Sequence, residues 1–363
     1  MRQSQFTLSR TNLLYNYNFF RSKLSLSTKL LVLVKANAYG HGDIECSKLF
    51  EEFGADYLGV ALPNEGIRLK NSGIKLPVII LTPGFESFEE IIENSLEPSI
   101  INLESALMFI ETLSKLGISS YPVHIKLDTG MHRVGFEEKE IPKLKELIIS
   151  NPNLRIKSVF SHLSSAEEPR HDEFTRDQIN LFKRMSSDLI SVLDYKPLLH
   201  ILNSSGIERF ADYQMDMVRL GVGIYGTSYV DESQLKPAGS LQAPIIQIKE
   251  VTKGSVGYGR HGVIGESGKI IATVPLGYAD GVNRRLGRGS TSFMLNGKRV
   301  PTIGNICMDT FMLDITGVEA KVGDVVTIFG ESPTAGDIAK ILNTISYEVY
   351  TSVSARVKRV VVP

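Results

Sequence analysis

Apolar residues recur along the first two thirds of the chain in short, nearly continuous runs, and between the runs they fall at helical intervals. Continuous runs read as strands buried on both faces, because a strand with one wet face would alternate. The runs are 30–34, 57–61, 77–81, 98–102, 122–127, 156–160, 199–203 and 217–220. Between them, 102–113, 137–149 and 172–193 predict helices. Asn102 is placed as an N-cap, and Phe174, Ile179, Phe182 and Met185 lie at helical intervals. Eight strands alternating with helices over about 230 residues predict a parallel (β/α)8 barrel; a doubly wound sheet gives the same alternation and differs in strand count. Near Val230 the texture changes: glycines become dense and long helical periods vanish. Residues 244–251 alternate, 269–275, 324–329 and 357–362 are further short strands, and only 334–343 looks helical. We therefore expect a barrel over 1–232 and a β-rich domain over 233–363, itself a small barrel, with the junction within 229–239.

Composition narrows the function classes. The length of 363 residues suits two domains. Forty basic and forty acidic side chains cancel without a basic stripe or acidic tail, so neither nucleic acid nor an anionic membrane is an expected partner. No apolar run approaches the roughly 20 residues that span a bilayer. The N-terminus lacks the apolar core of a signal peptide, and Cys46 and Cys307 lie far apart without metal-ligand spacing. The expectation is a cytoplasmic protein with free thiols and no metal site.

The candidate chemistry starts at Lys35, which follows a buried strand and precedes Gly40 and Gly42. A barrel carries its chemistry at the C-terminal ends of its strands, where a desolvated lysine is a reactive amine. His162 ends the sixth strand, Asn203, Ser204 and Gly206 end the seventh, and Arg219 lies late in the eighth, just before Gly221 and Gly223. Phosphate often sits after strands seven and eight, and here helix-start amides and the Ser204 hydroxyl could hold an anion. Gly221 and Gly223 alone would mark a tight turn; the whole set on one rim points to a phosphorylated ligand.

The words around these residues carry a family resemblance. They include Val34-Lys35-Ala36-Asn37-Ala38-Tyr39-Gly40-His41-Gly42, the stretch from Lys126 to Arg133, Ser161-His162-Leu163-Ser164-Ser165, and His200 with Asn203-Ser204. They continue with Met217 to Gly226, Val256-Gly257-Tyr258-Gly259, Gly277-Tyr278-Ala279-Asp280-Gly281, Cys307-Met308-Asp309 and Arg356-Val357-Lys358-Arg359. Along its whole length the chain resembles the bacterial alanine racemases, barrel enzymes that use pyridoxal phosphate.

The resemblance implies that Lys35 holds pyridoxal phosphate as a Schiff base and serves as one catalytic base. Tyr258 is then the second base, reaching the other face of the substrate Cα from the partner in a head-to-tail homodimer with shared active sites. Tyr39, Ser204, Gly221 and Val222 would carry the phosphate, with Asn203, Tyr225 and His162 also around the cofactor. Arg219 would face the pyridine nitrogen, held by His162 and His200. A guanidinium keeps its proton, so the ring nitrogen stays unprotonated and the electron sink is limited, which favours racemisation over transamination. Arg133, Met308, Tyr278 and Asp309 would bind the substrate alanine, and a carbamylated Lys126 would steady Arg133. The implied product is D-alanine for peptidoglycan. One word departs from the pattern: Ala355 stands in Ser354-Ala355-Arg356-Val357 where several members have a phosphate-binding tyrosine. That keeps open a racemase of broader specificity, acting on serine or lysine. Two other readings are a barrel decarboxylase, whose triple-glycine and Cys-Glu-Ser words are missing here, and a non-catalytic pyridoxal-phosphate-binding barrel, which would lack the β domain.

Overall fold

The computed structural model describes residues 3–84 and 87–363. Strand β1 (Gln5–Ser9) comes first and does not join the barrel. Eight parallel strands then follow: β2 (Lys29–Leu33), β3 (Tyr57–Val60), β4 (Val78–Ile80), β5 (Glu97–Ile100), β6 (Tyr121–Lys126), β7 (Leu154–Phe160), β8 (Leu198–His200) and β9 (Met217–Leu220). They pair in sequence from β2 to β8, and β9 returns to pair with β2. The seam between β8 and β9 is bridged by Asp216 N–H donating to Leu199 C=O (3.1 Å) and Arg219 N–H to Leu202 C=O (3.0 Å). This is the expected (β/α)8 barrel. Leu30, Leu31 and Val32 are fully buried, as a strand between barrel lumen and helical ring must be.

The helices between the strands begin where the sequence signals place them. Asn102 caps Leu103–Lys115 by accepting from Ser105 N–H (2.8 Å), a contact worth about 1 kcal/mol. In Asp172–Ile190, Ile179, Phe182 and Met185 face the core. Phe174 does not: it is exposed, with its ring edge against Gly130.

The remaining strands are β10 (Gly239–Pro244), β11 (Gln247–Val251), β12 (Ser255–Val256), β13 (Gly262–Val263), β14 (Lys269–Val274), β15 (Ser292–Leu295), β16 (Lys298–Ile303), β17 (Phe311–Asp314), β18 (Val325–Phe329) and β19 (Lys358–Val362). Three expectations are corrected by these strands and their helices. The second domain is a nine-stranded sheet ordered β11-β14-β17-β16-β15-β18-β10-β1-β19, not a small barrel, and β12 and β13 form a separate hairpin. The stretch 244–251 is two strands, because Pro244 has no N–H to continue the ladder. Ile245 N–H then donates to Asp324 C=O (2.8 Å) and Ile246 N–H to Thr273 C=O (2.9 Å), carrying the chain from one neighbour to another. A second helix, Ser346–Thr351, follows Ala335–Leu342.

β1 completes the sheet from the far end of the sequence, antiparallel to β10 and parallel to β19. Its two apolar residues, Phe6 and Leu8, are too few to stand out from a loop, yet both are fully buried. Phe6 packs edge-on against Phe329 (6.0 Å) of its own sheet and His41 (5.0 Å) of the barrel. Removing such a ring leaves a cavity at the junction of two cores. Phe6→Ala should lower the unfolding free energy by about 3–5 kcal/mol in urea titrations.

Candidate active site

β2 runs out through Val34 into Lys35, and the chain beyond it does not form the expected glycine turn. Ala36, Asn37, Ala38 and Tyr39 have φ of 52, 57, 52 and 53°, a left-handed turn. Such a conformation costs L-residues about 1–2 kcal/mol each, with asparagine the most tolerant. The surroundings hold it. Ala36 N–H donates to Glu65 Oε1 (2.6 Å), Ala38 N–H to Val34 C=O (2.8 Å) and Asp43 N–H to Asn37 Oδ1 (3.1 Å). From the second domain, Arg359 donates through Nε (3.1 Å) and Nη2 (2.7 Å) to Gly40 C=O. Gly40 is obligatory, since a Cβ there would stand 2.0 Å from Tyr350 C=O. Strain concentrated behind one lysine is characteristic of a functional site. Burial, then the Arg133 charge, pull the Lys35 ammonium below the ordinary lysine range against the opposing Glu65, and Arg219 adds to the fall. Its amine is thus neutral more often than that of a surface lysine.

Arg219 lies in β9, 2% exposed. Nη1 donates to His200 Nδ1 (2.9 Å) and His200 C=O (3.4 Å). Nη2 donates to Ser161 C=O (2.5 Å), Ile201 C=O (3.0 Å) and His162 Nδ1 (3.1 Å). Burial brings the guanidinium down to about 9, which still leaves it charged at neutral pH. His162 and His200 thus both contact Arg219, and both imidazoles accept. Burial and then Arg219 drive both far below the usual histidine range, so both stay neutral. Lys126, at the end of β6, is buried with its Nζ over the Phe160 ring (4.7 Å). Burial, then Arg219 and Arg133, hold its ammonium well below the ordinary value. Arg133 stands exposed on the loop after β6.

On the other side of Lys35 the rim offers a cradle. Gly221 N–H donates to Ser204 Oγ (2.9 Å), and a methyl at Gly221 would stand 2.9 Å from Tyr39 Oη and 3.7 Å from Ser204 Oγ. The missing Cβ keeps this space open beside two hydroxyls, with buried Val222 next in sequence. Tyr39 is fixed by rings: Tyr225 at 5.2 Å and Tyr347 at 5.8 Å. Tyr225 is a prop, its hydroxyl donating to Leu33 C=O (2.9 Å). Asn203 spends its side chain capping Ser204–Arg209, where Oδ1 accepts from Gly206 N–H (2.9 Å). An amine to hold an aldehyde, hydroxyls for a phosphate and an arginine for a ring nitrogen fit pyridoxal phosphate.

The other expected residues form a second group. Tyr258 is 76% exposed, beside a groove of about 430 Å³ lined wholly by the second domain, including Val256, Cys307 and Met312. Tyr278 and Met308 are exposed, and their turns are stitched by Tyr278 N–H to Cys307 C=O (3.0 Å) and Ala279 N–H to Met308 C=O (3.1 Å). Asp309 pairs with Arg356 Nη2 (2.6 Å), whose Nε donates to Asp280 (2.7 Å). Ala355 is exposed, and Tyr350 is buried against His41 and Phe329, so the aromatic that approaches Tyr39 from the second domain is Tyr347. Sequence reasoning missed Tyr347 and Glu65. The latter had a partial signal, an acidic residue in the first turn of a helix that opens on Pro63, where its Oε2 accepts from Leu62 N–H (3.0 Å).

A barrel with a desolvated lysine just beyond its first strand and a cradle of hydroxyls after its last two fits the class of lysine-dependent pyridoxal-phosphate enzymes. Comparison with known proteins narrows the class. The family model described as alanine racemase, N-terminal domain, matches residues 8–229, and that described as alanine racemase, C-terminal domain, matches 238–361. An alanine racemase of Clostridium kluyveri is 38% identical over 368 residues, spanning 96% of this chain and 91% of its own. The solved alanine racemase of Clostridium difficile 630 superposes with a TM-score of 0.93 at 35% identity, covering 99% of this chain and 95% of its own. The alanine racemase from Bacillus anthracis, with bound L-Ala-P, gives 0.91 at 30% identity, covering 100% and 96%. The chain belongs to the alanine racemase family, whose members depend on pyridoxal phosphate.

The buried neutral histidines make a pH prediction. His41, fully buried between Tyr225 and Tyr350, is depressed by burial to about 3. An unfolded histidine takes up its proton near pH 6.5, so below that the unfolded chain binds protons that the folded chain refuses. Stability is then fully present above about pH 7 and falls as pH drops, by about 2 kcal/mol at pH 5 from His41 alone. His162 and His200 act in the same direction. Urea unfolding of the cofactor-free chain at pH 5 and 7.5 should show a difference at least that large.

Proposed function

We propose that the chain interconverts L- and D-alanine, with Lys35 and Tyr258 as the two bases on opposite faces of Cα. The observation that carries this is the pairing of a lysine held partly neutral with a rim built for a phosphorylated ring. Bound pyridoxal phosphate supplies an electron sink that acidifies the Cα proton of an amino acid. Lys35 would hold the cofactor and move the proton on the D face through Nζ. Tyr39 Oη and Ser204 Oγ, with the backbone at Gly221 and Val222, would bind the phosphate. The contacts of Arg219 engage Nη1 and Nη2, leaving Nε–H to donate to the ring nitrogen without protonating it. The Bacillus anthracis relative carries L-Ala-P, which supports alanine as the substrate. Arg133 would meet the substrate carboxylate at the rim.

Lys126 fits the role of a carbamate. Its amine, held well below the ordinary lysine range, can add CO2 with loss of a proton, placing beside Arg133 and Arg219 an anion that can pair with Arg133. Purified chain with pyridoxal phosphate should convert pure L-alanine to the racemic mixture, read by chiral chromatography. Lys35→Ala should abolish this and remove the single borohydride-labelled peptide. A labelled peptide that survives in Lys35→Ala would overturn the assignment.

Tyr258, Tyr278, Met308 and Asp309 are exposed on the second domain, and they would complete the site of a second chain in a head-to-tail homodimer. A phenol ionises near pH 10 unaided; entering a rim rich in cations gives Tyr258 the positive surroundings that bring it into range. Mixing Lys35→Ala and Tyr258→Phe chains tests this. After full exchange half the dimers are mixed, each with one intact site of two, so about one quarter of wild-type activity should return. Mass-verified exchange without activity would place both bases in one chain.

A further inference from the structure

Arg219 is a buried cation whose every hydrogen-bond acceptor is neutral. Around it stand Lys126 and Lys35, amines of the same rim whose charged forms its own charge opposes, so neither compensates it. The carboxylate nearest Lys126, Asp128, is committed to its own loop, where it accepts from the N–H groups of Gly130 (2.9 Å), Met131 (3.1 Å) and His132 (3.1 Å). A charge so placed needs compensation from somewhere.

We propose that Glu97 is a positioning residue for Arg219, acting through a one-way chain of hydrogen bonds that crosses the barrel interior from its N-terminal to its C-terminal end. The links sit on five consecutive strands. Arg219 (β9) donates to His200 Nδ1 (2.9 Å); His200 Nε2 (β8) lies 2.9 Å from Ser158 Oγ (β7). Ser158 Oγ lies 2.6 Å from His124 Nδ1 (β6), and His124 Nε2 lies 2.8 Å from Glu97 Oε2 (β5). His124, Ser158 and His200 are buried, and Glu97, the first residue of β5, keeps 14% of its side chain exposed.

The two ends dictate the direction. Arginine only donates, so His200 Nδ1 accepts and its proton lies on Nε2, directed at Ser158. A carboxylate only accepts, so His124 Nε2 carries a proton directed at Glu97, and Nδ1 accepts the Ser158 hydroxyl proton. Every donor then points from Arg219 toward Glu97, and the aligned bonds polarise one another. The Glu97 charge makes His124, Ser158 and His200 successively better acceptors, and the last of them grips Nη1 and sets the plane of the guanidinium. A carboxylate behind a histidine orients and strengthens it in the same way elsewhere. The rival arrangement is a cationic His124 donating at both nitrogens, which leaves Ser158 accepting twice and breaks the direction of the chain.

The relay rests on the geometry alone; its effect on catalysis rests on Arg219 facing the cofactor ring, as proposed for the racemase. The test is nitrogen-15 NMR of the seven histidines in the full chain, with and without pyridoxal phosphate, alongside Glu97→Gln, which keeps shape and acceptor but removes the charge. The wild type should show His124 and His200 neutral with the proton on Nε2. Glu97→Gln should shift the His200 Nδ1 resonance and lower kcat about tenfold with KM nearly unchanged, at an unaltered melting temperature. Ser158→Ala should uncouple His200 from the Glu97 substitution. A doubly protonated His124 in the wild type, or a His200 resonance indifferent to Glu97→Gln, would overturn the relay. An intact NMR response with unchanged kcat would overturn the positioning role, and absence of racemisation in the wild type would sink only the functional reading.

Discussion

A guanidinium in the middle of a barrel is the constraint on which the active end of this molecule depends. Burying a lone charge is expensive, and a carboxylate in direct contact would neutralise the field that a ligand's ring nitrogen meets. The solution is to surround Arg219 with neutral acceptors: two imidazoles and three carbonyls from the strand ends. Those carbonyls are free to accept only because β7 and β8 end where they do, and the imidazoles stay neutral because burial, and then the cation beside them, opposes protonation. Strand length, histidine tautomer and the field at the rim are thus one property.

Lys35 answers to a different constraint. Its neighbours are forced left-handed, and the second domain supplies part of the force, through Arg359 on Gly40 C=O and the helix Ser346–Thr351 packed against Gly40. The β domain therefore shapes the barrel's own lysine besides presenting Tyr258. Substitutions at Arg359 or Tyr350, remote in sequence, act on Lys35 through backbone geometry.

Legibility in the sequence differs by feature. The barrel strands can be read because burial on both faces gives continuous apolar runs, and Asn102 and Thr334 announce their helices by capping chemistry. The left-handed turn cannot, since Ala36, Ala38 and Tyr39 have no preference for positive φ and adopt it under tertiary force. β1 is hidden because two apolar residues cannot be told from a loop when both partner strands lie beyond the whole barrel in sequence. Glu97, His124 and Ser158 carry no mark because each is an ordinary polar residue in an apolar strand; only closure of the barrel puts them in line. Tyr258, Tyr278, Met308 and Asp309 are found by their resemblance to a family's words, since no periodicity marks them.

The pairing of β1 with β10 on one side and β19 on the other has a consequence for how the chain is made. Synthesis proceeds from the N-terminus, and domains tend to fold as they emerge. Here β1 appears first, but both of its partners appear only after the whole barrel has been translated. The barrel can close on the ribosome while Phe6 and Leu8 wait, exposed, for a sheet that does not yet exist. Cutting the gene at the sequence boundary between barrel and sheet would make that wait permanent, giving a barrel trailing an apolar strand and a sheet with a gap between β10 and β19.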